Sequence, residues 1–162
     1  MGRNMAQSVE SFIRKSGLIA GGCNIVLNSL FSWLGNMAMT EVPQGSAAVD
    51  TVITSMVMSL LMSLFISADT KRALKVGTVA MAAPAHSAGR LLRRLPVRPW
   101  KLGLVLGLVV AVVLTSCMMG LFFLLGVTAL PFFAFLSIKV VYSMLLGYAV
   151  ARWVILRQLI AA

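Results

Sequence analysis

The sequence is poor in the residues that carry most protein chemistry. Only 11% of its 162 residues are charged, whereas a soluble domain has about 25%. It has one histidine, His86, and two cysteines, Cys23 and Cys117, each alone in an apolar run. A bis-histidine haem is therefore excluded, and neither a histidine-based metal centre nor a disulfide framework is indicated. No Gly-rich phosphate loop or Gly-x-Ser-x-Gly motif occurs either. We expect no metal, no cofactor and no enzymatic activity.

The sequence is rich in long apolar runs. Hydrophobic residues make up 60% of the chain, and the mean hydropathy is +0.97. The length accommodates about four spans of roughly 20 residues, so we predict an all-α integral membrane protein, a single domain over 1–162 that forms a four-transmembrane-helix bundle. The first apolar run could instead be a signal peptide, but it is long and no clear cleavage site follows it. The predicted spans are about 17–39, 47–66, 102–127 and 132–156.

The charge of +10 is unevenly distributed along the chain. The loop 67–101 has a single acid, Asp69, whereas the turns at 40–46 and 128–131 contain no lysine or arginine. By the positive-inside rule, the loop joins two hairpins on the cytoplasmic side and both termini lie there too. The predicted location is a bacterial cytoplasmic (inner) membrane. The basic residues of the loop are Lys71, Arg72, Lys75, Arg90, Arg93, Arg94, Arg98 and Lys101.

The basic loop is predicted to contact anionic lipid headgroups. Its segment 88–95 alternates leucines with arginines, as in a short interfacial helix, although a solvated basic loop is an equal alternative. Nucleic acid is not an expected partner, because the basic residues adjoin apolar spans where headgroups lie. The predicted headgroup contacts are Arg90, Arg93, Arg94, Arg98 and Lys101.

Each predicted span carries a row of small or polar residues at a spacing of four, on one helix face. Such rows are typical of helix–helix contacts in membranes. We found no convincing internal repeat, and any repeat of two such hairpins would be parallel rather than inverted. The rows are Ala20, Asn24, Asn28, Ser32 and Asn36; Ala47, Thr51, Ser55, Ser59 and Ser63; Gly103, Gly107, Ala111 and Thr115; and Lys139, Ser143, Gly147 and Ala151.

Lys139 is the most informative residue of these rows, because an ammonium inside a bilayer needs a partner. It lies roughly 12 Å from the outer end of its span. We predict that it points into the bundle, with Asn28 or Ser55 as its preferred partner. Asp50 is better explained as an exposed helix-start residue, the alternative being a pair with Lys139 across roughly 7 Å of height. The predicted polar midplane site comprises Asn24, Asn28, Ser55, Ser59, Lys139 and Ser143.

Three functions are compatible with this pattern. The polar layer favours a small transporter-like or permease-like protein, which could be a homo-oligomer. The alternative is a non-catalytic membrane partner or assembly protein, in which the polar rows only join helices. A lipid-active enzyme has the least support, because no catalytic constellation is present.

Overall fold

The computed structural model describes residues 8–79 and 92–161. It contains four long helices and, between the helices of each pair, a three-residue strand. All four helices are long and apolar enough to cross a membrane, so the prediction of a helical multi-pass membrane protein is confirmed. In chain order the elements are α1 (Val9–Asn36), β1 (Glu41–Pro43), α2 (Gln44–Val76), α3 (Pro99–Leu125), β2 (Ala129–Pro131) and α4 (Phe132–Ala161).

The helix ends follow local sequence signals. Pro43 precedes α2 and Pro99 opens α3, positions where the missing N–H of proline costs no helical hydrogen bond. Helices α2 and α3 end at Gly77 and Gly126, whose φ angles are 71° and 64°, a left-handed conformation that glycine adopts freely. Helix α2 has 33 residues and a length of about 50 Å. It therefore exceeds a hydrocarbon core of about 30 Å and continues well beyond the predicted span.

Helices that follow each other in the chain are not the ones that pack most closely. Helix α1 packs along α4, α3 packs along α2, and α2 and α4 contact each other in the centre. By comparison, the contacts between α1 and α2 and between α3 and α4 are slight. The bundle is therefore assembled between the two predicted hairpins rather than within each of them.

Glycines allow close approach at both outer helix pairs. A Cβ atom on Gly147 of α4 would lie 2.7 Å from Gly21 Cα of α1, and one on Gly103 of α3 would lie 2.8 Å from Leu60 Cα of α2. The predicted rows of small residues occupy these contacts, and all their members are buried except Thr115, which is half-buried. Since membrane helices gain little from the hydrophobic effect, such close packing is a main source of their association.

The two strands join the hairpins at one end of the bundle, which we call the strand end. They pair antiparallel with Val42 opposite Leu130. The pairing is extended symmetrically, because Gln44 N–H donates to the Thr128 carbonyl at 3.0 Å and Phe132 N–H donates to the Thr40 carbonyl at 3.1 Å. Val42 is fully buried in a small apolar cluster below the strands. We call this paired unit the clasp.

The clasp and the glycine contacts reveal an internal repeat that the sequence analysis did not find. Thr40 to Pro43 (Thr-Glu-Val-Pro) pairs with its counterpart 128–131 (Thr-Ala-Leu-Pro). Gly17 to Gly21 (Gly-Leu-Ile-Ala-Gly) packs on α4 as 103–107 (Gly-Leu-Val-Leu-Gly) packs on α2. The repeat relates α1 to α3 and α2 to α4 and is parallel, the form that the sequence analysis anticipated for any repeat. It was missed because each matching motif is only four or five residues long.

The opposite end, which we call the loop end, is closed by the chain that leads into α3. Arg157 Nε donates to the Leu95 carbonyl at 2.8 Å, and Ser63 Oγ donates to the Pro99 carbonyl at 2.8 Å. Leu92 is only 1% exposed, so this part of the predicted interfacial helix packs on protein. Residues 88–91 of that predicted helix, including Arg90, lie outside the described residues, as does His86.

Candidate polar site in the helix bundle

An ion pair between α2 and α4 is the centre of the candidate site. The Lys139 Nζ atom lies 2.5 Å from Asp50 Oδ2, and it also donates to Thr54 Oγ1 at 3.0 Å. Ser32 Oγ of α1 donates to the same carboxylate oxygen at 3.0 Å. Lys139 is only 2% exposed, so its prediction as an inward-pointing residue is confirmed. Three helices thus converge on one pair of opposite charges.

The clasp explains why these two charges meet at one depth. It aligns the first turns of α2 and α4, and Asp50 and Lys139 lie six and seven residues into those helices. Both are therefore about 10 Å from the strand end, at a rise of 1.5 Å per residue. The site lies nearer to the strand end than to the middle of α4, which is about 45 Å long.

Two expectations about the pair were wrong. Asp50 is not an exposed helix-start residue, because its carboxylate is half-buried and bound to Lys139. The preferred partners Asn28 and Ser55 make other hydrogen bonds. The alternative that the sequence analysis retained, an Asp50–Lys139 pair, is the arrangement observed.

Two aromatic rings complete the surroundings of the lysine. Its Nζ atom lies 5.5 Å from the ring centre of Phe135 and 5.1 Å from that of Tyr142, distances at which a ring attracts a cation. The Tyr142 hydroxyl hydrogen-bonds the Ser55 hydroxyl. Ser55 therefore reaches the lysine through Tyr142 and not directly.

A second polar cluster joins α1 to α4 beside the ion pair. Asn28 Nδ2 donates to Ser143 Oγ at 2.5 Å, and Asn24 Nδ2 donates to the Ser143 carbonyl at 2.7 Å. Ser143 Oγ in turn donates to the Lys139 carbonyl at 2.6 Å. The two clusters are thus adjacent turns of one continuous polar layer.

This layer has spare hydrogen-bonding capacity. Asn24 Oδ1 and Asn28 Oδ1 are buried and have no hydrogen-bond donor among the described residues. An ammonium group has three N–H donors. Among the described residues, the Lys139 ammonium has two acceptors, Asp50 and Thr54, so one N–H donor remains available. Buried polar groups without partners are costly and call for an explanation such as a bound water, ion or ligand.

Two cavities adjoin the residues of the ion pair, one between α1 and α2 and the other among α2, α3 and α4. One of about 250 Å³ is bounded by Asp50, Thr54 and Phe31. The other, of about 210 Å³, is bounded by Lys139, Thr51 and residues of α3. Their remaining walls are almost wholly apolar. Asp50 therefore lines one apolar cavity and Lys139 lines the other.

The other predicted site residues fall into two groups. Ser59 is buried but faces α3, since a Cβ on Gly107 would lie 3.3 Å from Ser59 Cβ; it belongs to helix packing. The described headgroup candidates are exposed at the loop end, where Lys101 lies 5.3 Å from the Trp100 ring centre. They are Arg93, Arg94, Arg98 and Lys101.

Sequence reasoning missed three members of the site: Ser32, Thr54 and Tyr142. Their spacing could have revealed them, because Thr54 lies four residues after Asp50 and Tyr142 three after Lys139. Residues three and four apart share a helix face. The missing step was to accept Asp50 as an inward residue.

The described residues contain no cluster of histidine, cysteine or acidic side chains able to hold a metal ion. Cys23 and Cys117 are both free and exposed on the outside of the bundle. Comparisons with protein-family models, curated proteins and solved structures found no match to this chain.

Proposed function

We propose that this chain is a small transporter-like membrane protein whose substrate-binding site is the Asp50–Lys139 layer. The observation that carries the proposal is a buried ion pair whose two residues each line a cavity. Replacing such a pair with apolar residues is often neutral or stabilising, so stability alone is a weak reason for its presence. Ionisable groups inside membrane spans commonly mark substrate or ion pathways.

Asp50 also supplies the acid that a charge-coupled transporter requires. When a proton or a cationic group binds the carboxylate, Lys139 loses its counter-charge and favours a different set of contacts. The unpartnered oxygens of Asn24 and Asn28 lie on the neighbouring helix and offer acceptors for a substrate donor. Such alternation between two sets of partners is the property that a transport cycle needs.

The alternative is a non-catalytic membrane partner or assembly protein, acting with a second membrane protein or as a homo-oligomer. Two observations favour this role. The opposite charges of Asp50 and Lys139 neutralise each other, and the glycine contacts suffice to hold the helices together. Both roles are non-enzymatic; the lipid-active enzyme gains no support from the polar layer, which lacks a paired nucleophile and base.

Thiol labelling distinguishes the two roles without knowledge of the substrate. In a Cys23→Ala/Cys117→Ala background we would introduce Thr54→Cys in the site and Ala111→Cys as a buried control in α3. A transport site must open to water during its cycle, so a membrane-impermeant cationic thiol reagent should modify Thr54→Cys in proteoliposomes much faster than Ala111→Cys. Equal, negligible labelling of both would overturn the transport proposal and leave the assembly role.

The same assay tests the proposed orientation in a bacterial inner membrane, with the loop end in the cytoplasm. The proposal rests on the basic residues, which apart from Lys139 lie at the loop end in the described part of the chain, whereas the clasp has none. Gly45→Cys should react in cells with a permeabilised outer membrane, and Arg98→Cys only after the inner membrane is opened. The reverse pattern would invert the topology.

A further inference from the structure

A polar pocket opens between α1 and α2 at the loop end, remote from the ion pair. Its volume is about 470 Å³, and its walls come from both helices and the residues that follow α2. Direct contact between α1 and α2 is slight, so the pocket is a cleft between helices. Its charged and polar members are Lys15, Ser16, Asp69, Arg72 and Thr78.

The cations of this pocket are available to bind an anion. Lys15 and Arg72 are exposed, and no carboxylate lies within 4.0 Å of either side chain among the described residues. Arginine forms paired hydrogen bonds with phosphate, and lysine adds a compact charge. Asp69 reduces the net charge of the pocket to one positive unit but does not neutralise it. The pocket therefore suits a singly charged phosphate group.

The remaining walls of the pocket are apolar. Phe12 is buried at its base, whereas Ile19 and Val76 are 58% and 67% exposed. A free phosphate gains nothing from such a surface, whereas an acyl chain does, since each buried CH₂ contributes to binding. On α1, Ile19 lies one turn nearer the strand end than Lys15, so the cation and the aliphatic side chain follow the order of headgroup and acyl chain in a phospholipid.

We infer that this cleft binds the phosphate group of an anionic phospholipid, with an acyl chain lying along α1 beside Ile19. Lys15 and Arg72 hold the phosphate from opposite helices, so the lipid bridges two helices that barely touch. Basic pockets between membrane helices are known to bind anionic headgroups in this way. The inference is independent of transport and concerns different residues from the predicted headgroup contacts of the loop.

The test uses the purified full chain in detergent, with phosphatidylglycerol as the probe and native mass spectrometry and thermal unfolding as readouts. Phosphatidylglycerol should bind and raise the Tm, whereas phosphatidylcholine should not. The Lys15→Gln/Arg72→Gln variant should bind about tenfold more weakly. The matched control, Arg14→Gln/Arg152→Gln, removes the same charge from exposed positions outside the cleft and outside the predicted headgroup contacts, and it should bind normally.

A gain-of-binding variant guards against simple misfolding. Asp69→Asn removes the acid beside the phosphate and should strengthen phosphatidylglycerol binding about two- to fivefold. Unchanged binding in Lys15→Gln/Arg72→Gln, or an equal loss in the arginine control, would overturn the site. Inorganic phosphate that reproduces the full rise in Tm would show a free-phosphate site and overturn the lipid assignment.

Discussion

The two halves of the molecule share a framework and differ in polarity. Counted from their equivalent glycines, Asn24 and Asn28 of α1 correspond to Val110 and Leu114 of α3. Where the first half places amides against Ser143, the second places aliphatic side chains beside an apolar groove of about 750 Å³ between α3 and α4. The framework is therefore independent of the polar layer, which is an addition to one half.

The ion pair shows the same division. Counted from the equivalent prolines of the two strands, Pro43 and Pro131, Asp50 corresponds to Ile138, and Lys139 corresponds to Thr51. Neither charge has a charged counterpart, so the pair breaks the symmetry of the repeat. Helix packing does not require an asymmetric pair of charges, since α2 and α3 associate through Gly103 and Gly107 without buried charges. This difference points to a selected role for the charged layer.

The largest expected effect comes from replacing one charged residue with its counterpart from the other half while the other charge stays in place. Asp50→Ile introduces the residue of the other half and leaves Lys139 buried without a counter-charge, which should cost about 3–5 kcal/mol of unfolding free energy. The double variant Asp50→Ile/Lys139→Thr should recover most of that loss. Unfolding in detergent mixtures measures both values. If Asp50→Ile is as stable as the unchanged protein, the ion pair is not buried as described.

A smaller effect should distinguish the equivalent glycines. Ala at Gly103 would press its Cβ against the Leu60 backbone, whereas Ala at Gly17 would meet the Tyr148 ring at 2.6 Å, and a ring can rotate away. We expect Gly103→Ala to cost about 1–3 kcal/mol and Gly17→Ala less. The control is Gly120→Ala, where a Cβ meets nothing within 4 Å. Equal costs at Gly103 and Gly120 would argue against the close α2–α3 contact.

The smallest effect should come from making one amide apolar. Asn28→Leu introduces the residue found at the equivalent position 114 and removes the hydrogen bond to Ser143, a loss of about 0.5–1 kcal/mol in a membrane helix. Val26→Leu, a change at a 65% exposed site on the same helix, is the matched control. A stabilised Asn28→Leu protein would indicate that the unpartnered Asn28 oxygen costs more than its amide group contributes.

The helices and their contact faces could be predicted from the sequence because both depend on local patterns of residues. Apolar length predicted the four helices, and a spacing of four placed Ser143 and Gly147 on a buried face. Sequence reasoning did not reach the order of helices in the bundle or the partner of Lys139. Those depend on the clasp, which joins residues such as Val42 and Leu130 that are distant in the chain. A three-residue strand has too little sequence pattern to predict its partner.

The two sides of the site are far apart in the chain, so they are also synthesised at different times. Thr54 and Lys139 are 85 residues apart, so at synthesis rates of about 5–20 residues per second the second side follows the first by about 4–17 s. During that interval Asp50 has no lysine to meet, and β1 has no strand to pair with. The polar groups of the newly made first half must therefore be solvated by water or lipid headgroups, or be held by the insertion machinery, until the second half is made.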